Sequence, residues 1–334
     1  MALPLSAPLM SRWLRRTVAL SSLSAAILFA SGCDEGGPIR RALGGDPAIS
    51  QWARDSMVLA SNPEILFRVV PDAGGALVVP IGTIGAQGVR PLKLSNLGWR
   101  KVDANFMLAG KTLTPYGGNR AQPEMRMFRG MWQPGVAVLD SLNCPVVIPM
   151  ARSLLTGTVD TRLPPFATNG KRPPLKHGPT LDQAEIARAL ANVGTLVAPA
   201  AGVGASQLPR YERRIHQIPS GINGGSSLLV EYNDRTPLPD SVRSFGERPR
   251  QLIVILDKGT YGYRPTYTFS TVGSRGTAPR VEFLDYLDVD NDGVPEIFFG
   301  LTERELAPLF TTALRFENDA WREVFRFTGN RCDF

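Results

Sequence analysis

The segment Asp288-Val289-Asp290-Asn291-Asp292-Gly293-Val294-Pro295-Glu296 sets carboxylates at positions one, three and five of a short loop. A hard cation such as Ca²⁺ takes about six to eight oxygen ligands at about 2.3–2.6 Å, and carboxylates at this alternate spacing converge when the loop is tight. Gly293 permits the sharp bend, the Val294 carbonyl offers a backbone oxygen, and Glu296 at position nine offers a further carboxylate, directly or through water. Without a cation the same carboxylates repel at short range. An acidic, solvated turn is the competing reading.

Position twelve is Phe299, where a helix-loop-helix calcium hand needs a glutamate, and the flanks Phe283 to Leu287 and Ile297 to Phe299 favour strands. The loop is therefore expected on a β-hairpin. In that form it resembles the calcium loops of FG-GAP and VCBS-type repeats of bacterial extracellular proteins. The resemblance implies ligands at Asp288, Asp290, Asp292 and Glu296 with the carbonyl of Val294, and a structural Ca²⁺. No second copy of the loop occurs, whereas a propeller of that family is built from several repeats. A structural role suits such a site better than a catalytic one, because protein oxygens leave no open position for substrate.

Other chemistry is sparsely supplied. The two histidines, His177 and His216, form no zinc-binding spacing, and there is no Gly-x-Ser-x-Gly elbow or phosphate-binding glycine loop. Asp140, Asp257 and Glu231 fall in or beside expected strands and are the carboxylates a glycosidase reading would draw on, although surface or strand-end roles suit them better. Tyr261, Tyr263, Tyr267 and Phe269 alternate through one stretch and could stack on glycans, with core packing the simpler account. The run Arg210, Arg213, Arg214 and His216 reads as a solvated basic face.

The N-terminus is built for export. Ser11 to Arg16 is basic, Thr17 to Ala30 is an apolar run, and Ala30-Ser31-Gly32 lead into Cys33, the three-part plan of a secretory signal over residues 1–32. The run is shorter than the roughly 20 residues a membrane-spanning helix needs. Met10 gives a more usual signal length and is an alternative start. Small residues before a cysteine resemble the lipobox of bacterial lipoproteins, which implies lipid on Cys33. Asp34 resembles an inner-membrane retention signal of some Gram-negative bacteria. With Cys33 so used, Cys144 and Cys332 remain as a pair in an oxidising compartment and are expected to form a disulfide. Closing so long a loop would stabilise by about 4–5 kcal/mol.

These features need a scaffold, and the composition supplies a β-rich one. Hydrophobic residues at 43% and charged residues at 20% suit a globule, while 33 glycines and 28 prolines favour short strands joined by turns. Residues 33–62 read as a lipidated tether and short helix carrying Ile49, Trp52, Ala53 and Met57. Residues 63–156 form a first β region, with strands at Ile65 to Val70, Ala76 to Ile81, Asn105 to Leu108 and Val146 to Met150. The stretch 157–180 reads as a Pro-rich linker. In 181–220, Thr180-Leu181-Asp182-Gln183 opens a helix with Ile186, Ala189, Leu190 and Val193 on one face, and Gly194 is placed to end it. Residues 221–334 form a C-terminal meander carrying the calcium loop. Its last hairpin, Phe310 to Glu317 and Trp321 to Phe327, turns at Asn318-Asp319, and the meander is expected to pack on one face.

The expected fold is mostly β, an antiparallel meander of hairpins that is propeller-like or a sandwich, with one or two short helices. The +7 charge includes Arg12, Arg15 and Arg16 of the export segment, and the remaining excess lacks the clustered stripe that nucleic acid requires. The leading functional expectation is a non-catalytic, calcium-stabilised lipoprotein, held by membrane lipid at Cys33 on the extracytoplasmic face of a bacterial envelope and binding a polymer or another envelope protein. An extracytoplasmic hydrolase acting on glycan or peptide is the alternative.

Overall fold

Leu66 to Val69 are buried without a break, which half-exposed strands do not show, so both faces of this segment are covered. Strand β1 (Glu64–Asp72) runs antiparallel to β2 (Gly75–Gly85), with Glu64 opposite Ile84 and Asp72 opposite Gly75. The other strands of this sheet are β3 (Gly88–Pro91), β4 (Thr112–Tyr116), β5 (Met125–Trp132), β6 (Pro149–Leu155) and β7 (Phe166–Thr168). Their order is β1-β7-β4-β5-β6-β2-β3, and β1 also pairs with β2. Six strands thus pair in a closed ring, with β3 added on the outer part of β2. Ring closure removes open edges and points alternate side chains into an enclosed core.

In the computed structural model the described residues are 61–72, 75–92, 96–117, 125–132, 149–155, 164–171, 180–204, 206–219, 225–234, 249–272, 280–301 and 310–328, with Asp55, Leu59 and Leu94. The chain divides into two units, Met1–Met57 and Val58–Phe334, and the sheets and helices below belong to the second. The expected export segment, Cys33, the residues Ile49, Trp52, Ala53 and Met57 of the expected tether and helix, and the expected disulfide partners Cys144 and Cys332 lie outside the described residues. Among the described residues no helix is long and apolar enough to cross a membrane.

Two local expectations are corrected in and beside the ring. Asn105 to Leu108 does not form a strand, because residues up to Phe106 end helix α1 (Asn96–Phe106). Trp99, Val102 and Phe106 recur at spacings of three and four and are all buried, so the helical period wins over a short apolar run. Within the stretch read as a linker, Phe166–Thr168 is β7, seated between β1 and β4. Phe166 and Ala167 are fully buried, and Thr168 donates its hydroxyl to Glu64, 2.8 Å away.

Helix α2 (Gln183–Asn192) begins two residues later than the Thr180 reading placed it, since the capping side chain is Asp182, which accepts from the Glu185 amide at 2.6 Å. Gly194 does not end the helical path. A π-type turn, Val193–Val197, carries it on to Ala198–Ala200, where Pro199 and Gly202 close it. Val193 and Val197 are buried, and this packing outweighs the helix-breaking tendency of a single glycine.

A second sheet holds β8 (Tyr211–Pro219), β9 (Ser226–Asp234), β10 (Pro249–Gly259) and β11 (Gly262–Val272) in the order β11-β10-β9-β8. The third sheet is a meander of β12 (Val281–Leu287), β13 (Glu296–Leu301), β14 (Thr311–Glu317) and β15 (Ala320–Phe327). Both are antiparallel throughout. Among the described residues the fold is therefore mostly β, with three antiparallel sheets and two helices.

Alternation along β9 and β10 orders the layers. Leu228, Val230, Leu252, Val254 and Leu256 form a core with Ile186, Ala189 and Val193 of the helical segment. Leu229, Ile253 and Ile255 point the other way, onto Ile297, Phe299, Leu314 and Trp321 of the third sheet. That sheet then sends Phe298, Ala313, Phe325 and Phe327 into the core of the strand ring. The meander is buried on both faces, which corrects the expectation of one packed face. Adjacent Phe298 and Phe299 project to opposite sides of β13, and each buried aromatic contributes about 1.5–3 kcal/mol of transfer free energy.

Candidate metal centre

Strands β12 and β13 pair as far as Leu287 opposite Glu296, and the acidic loop is the connection beyond that last pair. It is pinned at its base. Val289 is fully buried in the core of the strand ring, and the Tyr116 hydroxyl of β4 donates to the Asp288 carbonyl at 2.6 Å. Gly293 sits at φ 87° and Asn291 at φ 60°, left-handed conformations that glycine and asparagine adopt most readily. The carboxylates hold the loop by accepting from its own amides. Asp292 N donates to Asp288 Oδ1 at 3.1 Å and to Asp290 Oδ1 at 3.3 Å, Gly293 N to Asp288 Oδ2 at 3.0 Å, and Val294 N to Asp292 Oδ1 at 2.8 Å.

The result is convergence. Carboxylate oxygens of Asp288, Asp290 and Asp292 all lie within 4.8 Å of one another, a cluster that could hold a metal ion. Asp288 is pushed above the usual carboxylate range, first by burial and then by the like charges of Asp292 and Asp290, against hydrogen bonds from Gly293 and Asp292.

Glu296 plays a different part from the three aspartates. Its side chain is fully buried, with Oε2 accepting from the Val289 amide at 3.1 Å, while Oε1 has no hydrogen-bond partner among the described residues. Burial pushes its pKa up to about 8, and Asp290 adds to the rise, with the Val289 hydrogen bond and Arg315 opposing it. A buried carboxyl in this position is under-compensated by the protein alone.

The residue that the sequence reading missed is Arg315 of β14. Its Nη2 lies 2.5 Å from Asp290 Oδ2 and 2.8 Å from Asp292 Oδ2, its Nη1 3.9 Å from Glu296 Oε1, and its Nε 3.8 Å from Glu317 Oε1. Burial lowers the guanidinium pKa, and the charges of Asp290, Glu296 and Asp292 more than reverse this, so it stays charged. The signal was present in the meander. Ile297 pairs with Leu314, which sets Arg315 beside Glu296 on the neighbouring strand. The hard oxygens of the Asp288, Asp290 and Asp292 cluster could hold a metal ion. The five positions Asp288, Asp290, Asp292, Val294 and Glu296 stand in one loop, with the three aspartates forming the convergent set.

The other candidate residues are placed differently. Asp257 is buried and accepts from the hydroxyls of Ser227 and Thr266 and from Trp321 Nε1, the last at 2.9 Å. Glu231 is buried and lies 2.8 Å from His216 Nε2, whose ring rests on Phe283 with centroids 4.4 Å apart. Asp257 joins the second sheet to the third through Trp321, whereas Glu231 meets His216 on the neighbouring strand of its own sheet. Asp140 lies outside the described residues. Arg213 and Arg214 are exposed on the edge strand β8, in keeping with a solvated basic face.

The aromatic row divides. A bulge leaves Thr266 between the pairs Ile255–Tyr267 and Leu256–Pro265, and this reverses the alternation. Tyr263 faces the helical layer, Tyr267 and Phe269 face the third sheet, and Tyr261 is fully exposed in the turn. They form no common stacking surface. Compared with protein-family models, with curated proteins and with solved structures, the chain finds no match.

Proposed function

We propose that this chain is a non-catalytic lipoprotein of the bacterial envelope, tethered through Cys33 on the extracytoplasmic side, whose C-terminal meander is stabilised by a structural Ca²⁺ in the loop 288–296. The convergence of the Asp288, Asp290 and Asp292 carboxylates carries the calcium part. A bound ion would offset their mutual repulsion and give the buried Glu296 a counter-charge, directly or through water. It would also fix the crossing between the third sheet and the strand ring, because Val289 and Tyr116 tie the loop to that ring. The export segment and its cysteine support the tether. A body of three sheets packed face to face suits presentation of a binding surface to an envelope polymer or protein.

Thermal unfolding of the full chain in mild detergent, with excess Ca²⁺ and with chelator, tests the metal. A melting temperature that rises with Ca²⁺ and loses that rise in Asp290→Ala supports the reading. Coincident curves for the unmodified chain would leave the acidic-turn alternative standing. Incorporation of labelled fatty acid that is lost in Cys33→Ser tests the tether, and equal labelling of both proteins would sink it.

A further inference from the structure

The loop amides occupy both oxygens of Asp288, Oδ1 of Asp290 and Oδ1 of Asp292. The two remaining oxygens, Asp290 Oδ2 and Asp292 Oδ2, are both taken by one nitrogen, Nη2 of Arg315, at 2.5 Å and 2.8 Å. We infer that Arg315 is an internal cation occupying the calcium seat, so that Ca²⁺ binds by competing with it and the affinity of the loop is set by how firmly the guanidinium is held.

Three observations carry this inference. Ca²⁺ needs its oxygens at about 2.3–2.6 Å, so it cannot share Asp290 Oδ2 and Asp292 Oδ2 with a guanidinium nitrogen already at hydrogen-bond distance from both. Glu296 Oε1, fully buried and without a hydrogen-bond partner among the described residues, lies 3.9 Å from Nη1, a spacing that leaves a cationic site only loosely filled by the arginine. Gly88, at φ 89°, brings the β2–β3 turn against the pair, since a Cβ there would lie 3.5 Å from Arg315 Nη1 and 3.4 Å from Glu296 Oε1. The seat is thus walled by backbone on the ring side and open toward Glu317, which is 45% exposed and 3.8 Å from Nε.

The exchange follows from these contacts. When Ca²⁺ takes the aspartate oxygens, the guanidinium moves outward onto Glu317, one alternate position along the same strand and face of β14. Without the ion it returns, neutralises the loop and keeps the meander folded. The loop then tolerates calcium depletion, and its apparent dissociation constant exceeds the intrinsic one by the inverse of the fraction of molecules whose seat is free.

This inference rests on the calcium reading, and calorimetric Ca²⁺ titration of the full chain in mild detergent separates the two. Arg315→Met keeps the aliphatic stem and removes the charge, and it is expected to lower the dissociation constant about tenfold or more, whereas Arg315→Lys stays within about threefold of the unmodified chain. Asp290→Asn should bind weakest. If the unmodified chain and Arg315→Met bind equally, or Arg315→Met binds more weakly, the competition is overturned while the calcium reading stands. Absence of binding in every protein overturns the calcium reading and the competition with it. Should Arg315→Met be unfolded without the ion, recovery of its circular dichroism on adding Ca²⁺ supports the inference. Failure to recover assigns Arg315 a purely structural role and overturns it.

Discussion

Trp321 of β15 donates its indole N–H to Oδ2 of Asp257 on β10 at 2.9 Å, a hydrogen bond between the third sheet and the second. Both residues are buried, and Asp257 also accepts from Ser227 and Thr266. The contact satisfies a carboxylate within the layer interface while the Trp321 ring packs edge-on against Phe316, with centroids 5.5 Å apart. Trp321→Phe keeps an aromatic ring and removes the donor. Stability to urea is expected to fall by about 2 kcal/mol, the usual worth of a hydrogen bond to a charged group. An unchanged midpoint would mean that Asp257 needs no donor from the third sheet.

Burial on both faces of the meander is tested by adjacent substitutions. Phe298→Ala empties space in the core shared with the strand ring, and Phe299→Ala does so in the core shared with the second sheet. Each is expected to cost about 3–5 kcal/mol by denaturant titration, as buried aromatic truncations do. A one-sided meander would show a large loss in one variant and nearly none in the other.

The start of α2 gives a local test. Asp182→Ala should destabilise by about 1 kcal/mol through loss of the bond to the Glu185 amide. Thr180, exposed and two residues before the cap, should change stability by less than about 0.5 kcal/mol when replaced by alanine. The reverse order in thermal melts would restore Thr180 as the cap.

Glu282 makes stability depend on pH. Burial raises its carboxyl above the usual 4.5 and Glu231 adds to the rise, while Arg68 and Arg214 oppose it. The folded chain therefore holds the proton more tightly than the unfolded chain. Its contribution is complete below pH 4.5, declines as pH rises through the folded value, and is level above it. In Glu282→Gln that decline is expected to vanish from a plot of melting temperature against pH. Parallel profiles for the two proteins would show that Glu282 titrates normally.

Much of the local structure was legible in the chain. The alternation of Thr311 to Glu317 and the Asn318-Asp319 pair, both at positive φ, specify the last hairpin because strand period and turn chemistry are properties of neighbouring residues. The spacing of Asp288, Asp290 and Asp292 likewise determined a loop whose carboxylates converge. Periodicity misread Asn105 to Leu108, where four residues are too few to separate a strand from a helix end.

What the tertiary structure alone decided concerns residues distant in sequence. Which sheet covers each face of β13, the closing of six strands into a ring through β1 and β2, and the reversal of the Tyr263–Tyr267 face at the Thr266 bulge all depend on register between strands. Arg315 belongs with these. Its spacing along the chain marks it as an outward-facing residue of a hairpin, and only the pairing of Ile297 with Leu314 brings its charge to Asp290, 25 positions earlier. Hydrophobic period is set by covalent succession, whereas a counter-charge is supplied by whatever strand happens to pair alongside, and that choice is made by packing across the whole fold.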